Sequence, residues 1–143
     1  MSLEEIKSNF ALLDDWEDRY RYVIELGRML PPLDDAFKTE ATKVRGCASQ
    51  VWLSSRLVAP ADGGPPRLSF KGDSDALIVR GLVAILLDAI DDKPATEIVA
   101  MDLPGLIAEL GLKENLTPQR SNGLASMVTR IKADAAAAVG AAP

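Results

Sequence analysis

The chain has 143 residues, 48% of them hydrophobic and 26% charged, enough for one globular core without disulfide or metal staples. Its formal net charge of −5 argues against nucleic acid or an anionic membrane surface as the main partner, because both select clustered Lys and Arg. One cysteine and no histidine exclude an internal disulfide, a Cys-rich zinc or iron–sulfur site held by this chain alone, and any Ser-His-Asp or Cys-His mechanism.

Ser2 followed three residues later by Glu5 is a capping-box pattern, and Leu3, Ile6, Phe10 and Leu13 then recur at helical spacing. This acidic start lacks the basic and apolar regions of a signal peptide, and no apolar run is long enough to span a bilayer. The expected location is therefore the cytoplasm, where a lone thiol stays reduced. A second helix is expected from Asp14-Asp15, with Trp16, Tyr20, Val23, Ile24 and Leu30 as its apolar stripe and Pro31-Pro32 as its stop. Residues 33–43 form a polar connection with one loose helical turn.

Val51, Leu53, Ser55 and Leu57 alternate with Trp52, Ser54, Arg56 and Val58, the period of a strand. The turn cluster Asp62-Gly63-Gly64-Pro65-Pro66 leads to a second strand over 67–72, with Leu68 and Phe70 on one face. The hairpin leaves room for a short third strand before Gly46. Gly72-Asp73-Ser74-Asp75 is expected to close the hairpin and cap a helix over 76–90. That helix is apolar on nearly every side, which makes it the main support of the sheet. Asp91-Asp92-Lys93-Pro94 reads as a loop with Pro94 opening a short helix, and Pro104 opens another that ends at Gly111. Thr117 caps the last helix and Pro118 begins it, with Leu124, Met127, Val128 and Ile131 as its stripe. The alanine-rich residues 133–143 are expected to fray. No repeat or composition break appears, so residues 1–143 read as a single α+β domain, a small antiparallel sheet packed against several helices.

The chemistry centres on Cys47. A free cysteine usually behaves as a small buried hydrophobe. Here it follows Gly46 at a loop-to-strand junction, where the missing side chain lets another molecule approach. Arg45 lies two residues before it, and a nearby cation favours the thiolate, which is the nucleophile in thiol chemistry. On the residues alone, a reactive thiol and a core cysteine both stay open.

The chain resembles the SufE family, the sulfur-acceptor partners of cysteine desulfurases. The resemblance is carried by Trp16-Glu17, Arg19-Tyr20 and Ile24-Glu25-Leu26-Gly27, then by Val44-Arg45-Gly46-Cys47-Ala48-Ser49-Gln50-Val51-Trp52. It continues through Gly72-Asp73-Ser74-Asp75-Ala76, Gly81-Leu82 and Leu116-Thr117-Pro118-Gln119-Arg120-Ser121-Asn122-Gly123-Leu124. The resemblance implies a SufE-like α+β fold and an accessory sulfurtransferase-like protein without independent turnover. It implies that Cys47 takes persulfide sulfur from a pyridoxal-phosphate-dependent cysteine desulfurase, stimulates that enzyme, and passes sulfur to an iron–sulfur assembly scaffold. The pyridoxal phosphate belongs to the partner; this chain needs no cofactor and no metal of its own. Arg45, Gly46, Ser49, Gln50, Asp73, Asp75 and Arg120 are the expected loop-supporting or partner-contacting residues, with plain helix capping or solvation as the alternative for Asp73, Asp75 and Arg120. The cysteine is expected to be sheltered in the free protein, which protects a persulfide from oxidation. Three other readings remain: an activator acting only through non-covalent contacts, a relative serving a different sulfur-transfer pathway, and a redox sensor that lacks a resolving cysteine. A monomer and a weak homodimer fit the sequence equally well.

Overall fold

A computed structural model of the chain describes residues 2–141. Helix α1 (Leu3–Leu12) starts where Ser2 Oγ accepts from the Glu5 amide at 3.2 Å, and it buries Ile6 and Phe10. Helix α2 (Trp16–Met29) is capped by Asp15, whose carboxylate accepts from the Glu17 amide at 2.7 Å. The connection that follows contains a single 3-10 turn, Asp35–Phe37.

Strands β1 (Val51–Val58) and β2 (Arg67–Ser74) form an antiparallel hairpin, with Val51 opposite Ser74 and Val58 opposite Arg67. Val51 and Leu53 of β1 and Leu68 and Phe70 of β2 turn inward. Helix α3 (Leu77–Ile90) lies over this face with eleven of its residues buried, which makes it the centre of the core. Each large apolar side chain so buried contributes about 1.5–3 kcal/mol before entropy costs. Helix α2 packs on α3 so tightly that a side chain at Gly81 would land on the Val23 carbonyl. Arg80 of α3 then donates to the carbonyls of Gly27 (3.1 Å), which also accepts from the Leu30 amide, and of Leu30 (2.5 Å), securing the C-terminal end of α2.

Three sequence expectations give way here. The third strand is β3 (Lys93–Pro94), paired with β2 on the far edge of the sheet; the segment before Gly46 makes only an isolated bridge, Lys43 opposite Trp52. The chain can turn back along β2 because Asp92 adopts a left-handed φ of 58° and its amide donates to the Leu68 carbonyl at 2.9 Å. Pro94 accordingly precedes α4 (Ala95–Ala100) as its N-cap instead of opening it. Second, β2 runs two residues further than its alternation suggests, and Asp73 and Ser74 are strand residues. The N-cap of α3 is Ala76, whose amide donates to Ser74 Oγ at 3.2 Å.

Helix α5 (Leu103–Glu109) is capped by Asp102, and Gly111, at φ 69°, turns the chain into a further short helix, α6 (Leu112–Asn115). The third correction concerns the alanine-rich tail. Helix α7 (Pro118–Ala141) continues through it, with Ala135 and Ala138 buried; residues 142 and 143 lie outside the described residues. Alanine is the strongest helix former, and its small side chain suits close packing. Lys132 anchors the same stretch by donating to the carbonyls of Ile98, Val99 and Met101 at the C-terminal end of α4. Among the described residues no helix is long and apolar enough to cross a membrane.

Candidate functional site

Cys47 sits on a short loop that leaves the sheet at Val44 and returns at Val51. Both ends are buried, and the Val44 amide donates to the Val51 carbonyl at 2.8 Å, closing the base of the loop. Gly46 adopts a φ of 90°, the left-handed region that glycine enters without penalty. It also lies against α7, where an added Cβ would come within 2.5 Å of Ser126 Oγ. The loop is thus pressed onto the helix at its tightest point.

The thiol is half-buried. Cys47 Sγ donates to the Gly123 carbonyl of α7 at 3.5 Å, and the cysteine lies in van der Waals contact with the helix at that position. A cavity of roughly 250 Å³ opens beside it, walled in part by Ser49, Val51, Leu82, Arg120 and Met127. At about 30 Å³ per liquid water, that space has room for a further sulfur atom on Sγ together with solvent. Burial pushes the Cys47 thiol above its ordinary pKa. The hydrogen bond acts in the same sense, because a carbonyl oxygen accepts from a thiol and repels a thiolate.

The predicted residues divide into those the fold brings to the thiol and those it does not. Arg120 walls the cavity. Its guanidinium donates to the Tyr20 hydroxyl at 2.9 Å and lies over the Tyr20 ring, tying α7 to α2 beside the cysteine. Asp75 brackets the returning end of the loop: its carboxylate accepts from the Gln50 amide at 3.0 Å, and its own amide donates to the Gln50 carbonyl at 3.3 Å. It is therefore the main chain of Gln50, not its exposed amide group, that is held. Ser49 lines the cavity, and Gly46 forms the turn.

Arg45 does not bring its cation to the thiol. Its side chain is exposed and pairs with Glu40 at 3.2 Å, and burial, with no opposing cation among the described residues, raises the thiol's pKa. Asp73 serves the scaffold. It is buried beside Trp52 in the strand register, accepts from the Leu33 amide at 3.0 Å, and pairs with Arg80 (3.3 Å) and Lys38 (3.7 Å). Lys38 in turn lies over the Trp52 ring, so Asp73 fixes the connector, one strand away from the cysteine.

Sequence reasoning missed the face that α7 presents to the loop. Gly123 meets the thiol, Ser126 meets Gly46, and Arg130 donates to the carbonyls of Ala41 (2.6 Å) and Lys43 (3.3 Å) on the leading side of the loop. Asp134 pairs with Arg130 at 3.0 Å and accepts from Ser55 of β1. The signal was present in the spacing, since positions 123, 126, 127, 130 and 134 share one helical face. Among the described residues no cluster of His, Cys, Asp or Glu could hold a metal ion.

Residues 4–135 match the SufE family, described as an Fe-S metabolism associated domain. The chain belongs to the SufE family. It is 57% identical over 136 residues to a SufE-like protein of Rhizobium etli, a match that covers 94% of this chain and 89% of the relative. A SufE-like protein of Rhizobium meliloti is 52% identical over 134 residues, 94% of each chain. The sulfur acceptor protein CsdE of Escherichia coli is 42% identical over 124 residues, covering 87% of this chain and 81% of CsdE. The solution structure of a hypothetical protein from Thermus thermophilus has the same α+β fold, with a TM-score of 0.71 at 24% identity over 98% of this chain and 99% of that one. The loop cysteine, its cavity and the α7 face that seats it all lie within the span that matches the SufE family.

Proposed function

We propose that this SufE-family chain is a sulfur acceptor and carrier. It takes sulfur from the persulfide of a pyridoxal-phosphate-dependent cysteine desulfurase onto Cys47, stimulates that enzyme by removing its product, and hands the sulfur to an iron–sulfur assembly scaffold in the cytoplasm. The single observation that carries the reading is the placement of the only thiol in 143 residues. It stands on a glycine-hinged loop at the wall of a cavity with space beside Sγ. The E. coli relative's name, sulfur acceptor protein, points the same way.

The chemistry is an exchange at sulfur. The Cys47 thiolate attacks the outer sulfur of the donor persulfide, forming a new S–S bond as the donor's S–S bond breaks. The donor cysteine leaves as a thiolate, and Cys47 ends as a persulfide. One sulfur atom moves, no external oxidant or reductant is consumed, and the acceptor needs neither a histidine nor a metal. In the free protein the thiol is half-buried and held neutral, so transfer requires the loop to lift Cys47 off the Gly123 carbonyl and into the partner's site.

Intact-mass measurement after incubation with a cysteine desulfurase and cysteine tests this. Wild type gains the mass of one sulfur, reversed by a thiol reductant, and Cys47→Ser gains none. A wild-type chain that acquires no sulfur overturns the proposal. A Cys47→Ser variant that still stimulates desulfurase turnover as well as wild type overturns it too, in favour of activation by contact alone.

A further inference from the structure

The Cys47 loop is held at two feet, and both are fastened by segments distant in sequence. The returning foot, Gln50, is bracketed by Asp75 through hydrogen bonds in both directions. The leading foot, Ala41 to Val44, is bonded to β1 through the Val44 amide on the Val51 carbonyl and the Leu53 amide on the Thr42 carbonyl, both at 2.8 Å, and is tied to α7 by a side chain from far along the sequence. Arg130 of α7 donates one guanidinium nitrogen to the Ala41 carbonyl at 2.6 Å and another to the Lys43 carbonyl at 3.3 Å. Its Nε meets Asp134 at 3.0 Å, and Asp134 also accepts from Ser55 of β1. The Arg130–Asp134 pair is largely sheltered, with side chains 26% and 19% exposed, and charge-assisted bonds of this kind are stronger and more directional than neutral ones. Between the feet, the turn at Gly46 and the thiol bond to Gly123 are what hold the loop down.

We propose that Arg130 is a positioning residue for sulfur transfer. Its planar fork pins the leading foot of the loop to α7, so that the movement exposing Cys47 is confined to residues 45–49. The inference rests on Cys47 being the acceptor, and it adds the reason that α7 carries Gly123, Ser126, Arg130 and Asp134 on one face. The helix acts as a ruler along which the loop is laid, with its thiol end releasable and its far end locked. Positioning matters because displacement of a reacting group by about 1 Å costs a large factor in rate. A loop whose leading foot is untied from α7 presents its sulfur in more orientations, fewer of them in line with a donor S–S bond. Lysine has a single ammonium, which lacks the fork that reaches two carbonyls and a carboxylate together.

The test compares Arg130→Met, Arg130→Lys and a control, Lys132→Met, which loosens the opposite side of α7 by freeing the α4 carbonyls. Three quantities are read on the full chain: the Cys47 alkylation rate without partner, the thermal midpoint, and the rate of persulfide formation at saturating desulfurase. The expected outcome is several-fold faster alkylation and several-fold slower transfer for Arg130→Met, partial recovery of both in Arg130→Lys, and wild-type values for Lys132→Met despite a comparable loss of thermal stability. Wild-type alkylation and transfer in Arg130→Met overturn the proposal, and so does equal acceleration of alkylation by Lys132→Met. If wild type forms no persulfide, the sulfur-acceptor reading fails by itself, while the alkylation comparison still judges the clamp.

Discussion

Gly46→Ala is the sharpest perturbation the loop offers. Two costs can be separated. The first is conformational: at a φ of 90°, an L-residue is strained by about 1–2 kcal/mol. The second is steric, because the new Cβ would lie 2.5 Å from Ser126 Oγ but 3.4 Å from Ser126 Cβ. Only the hydroxyl is in severe conflict, and a rotation about one bond removes it. The backbone cost should therefore dominate, for a total of about 2 kcal/mol, or roughly 4–8 °C in Tm for a domain of this size. Urea denaturation measures the loss, and the double variant Gly46→Ala/Ser126→Ala partitions it. If φ dominates, removing the hydroxyl restores less than about 0.5 kcal/mol of stability, within the usual range for a surface change. The strained loop also spends more time lifted, so Cys47 in native protein should alkylate faster. A Gly46→Ala protein as stable as wild type, with an unchanged alkylation rate, would refute the account of the loop as a glycine-dependent turn pressed onto α7.

Two further outcomes follow from the same geometry. Burial raises the Cys47 pKa, so the folded chain favours the neutral thiol; the stability this adds is complete below the ordinary thiol range and lost as pH rises through the raised value. The alkylation rate of the free protein should rise with a midpoint above the ordinary thiol value of about 8.5, and a midpoint at or below that value contradicts the sheltered thiol. Asp73→Ala removes a buried carboxylate that serves the Leu33 and Ser74 amides and the Arg80 guanidinium, and should cost about 3 kcal/mol in chemical denaturation. A loss below about 1 kcal/mol would mean that Asp73 does not fasten the connector to the sheet.

Much of this protein follows from local rules written in its sequence. Ser2, Asp15 and Thr117 start helices because their side-chain oxygens satisfy free amides close by in the chain, and those bonds form as the residues suggest. The alternation of 51–58 and the strongly apolar stretch of 76–90, interrupted only by Arg80 and Asp88 among charged residues, placed the hairpin and the central helix, because their periods are properties of the backbone alone. The single cysteine, the missing histidine and the glycine before the thiol left a reactive thiol and a core cysteine both open, and the resemblance to the SufE family is what pointed to sulfur transfer. Tertiary structure decided what depends on distant partners. Asp73 belongs to a strand and not to a cap, because Leu33 and Arg80 are there to satisfy its carboxylate. The third strand forms at the far edge, where Asp92 lets the chain double back on β2. Arg45 lies two positions from Cys47 in sequence yet points to Glu40, while Gly123 and Arg130, about eighty positions away, seat the thiol and hold its loop. Neighbours along the chain need not face the same way, and only the placement of α7 beside the loop determines which carbonyl the sulfur meets.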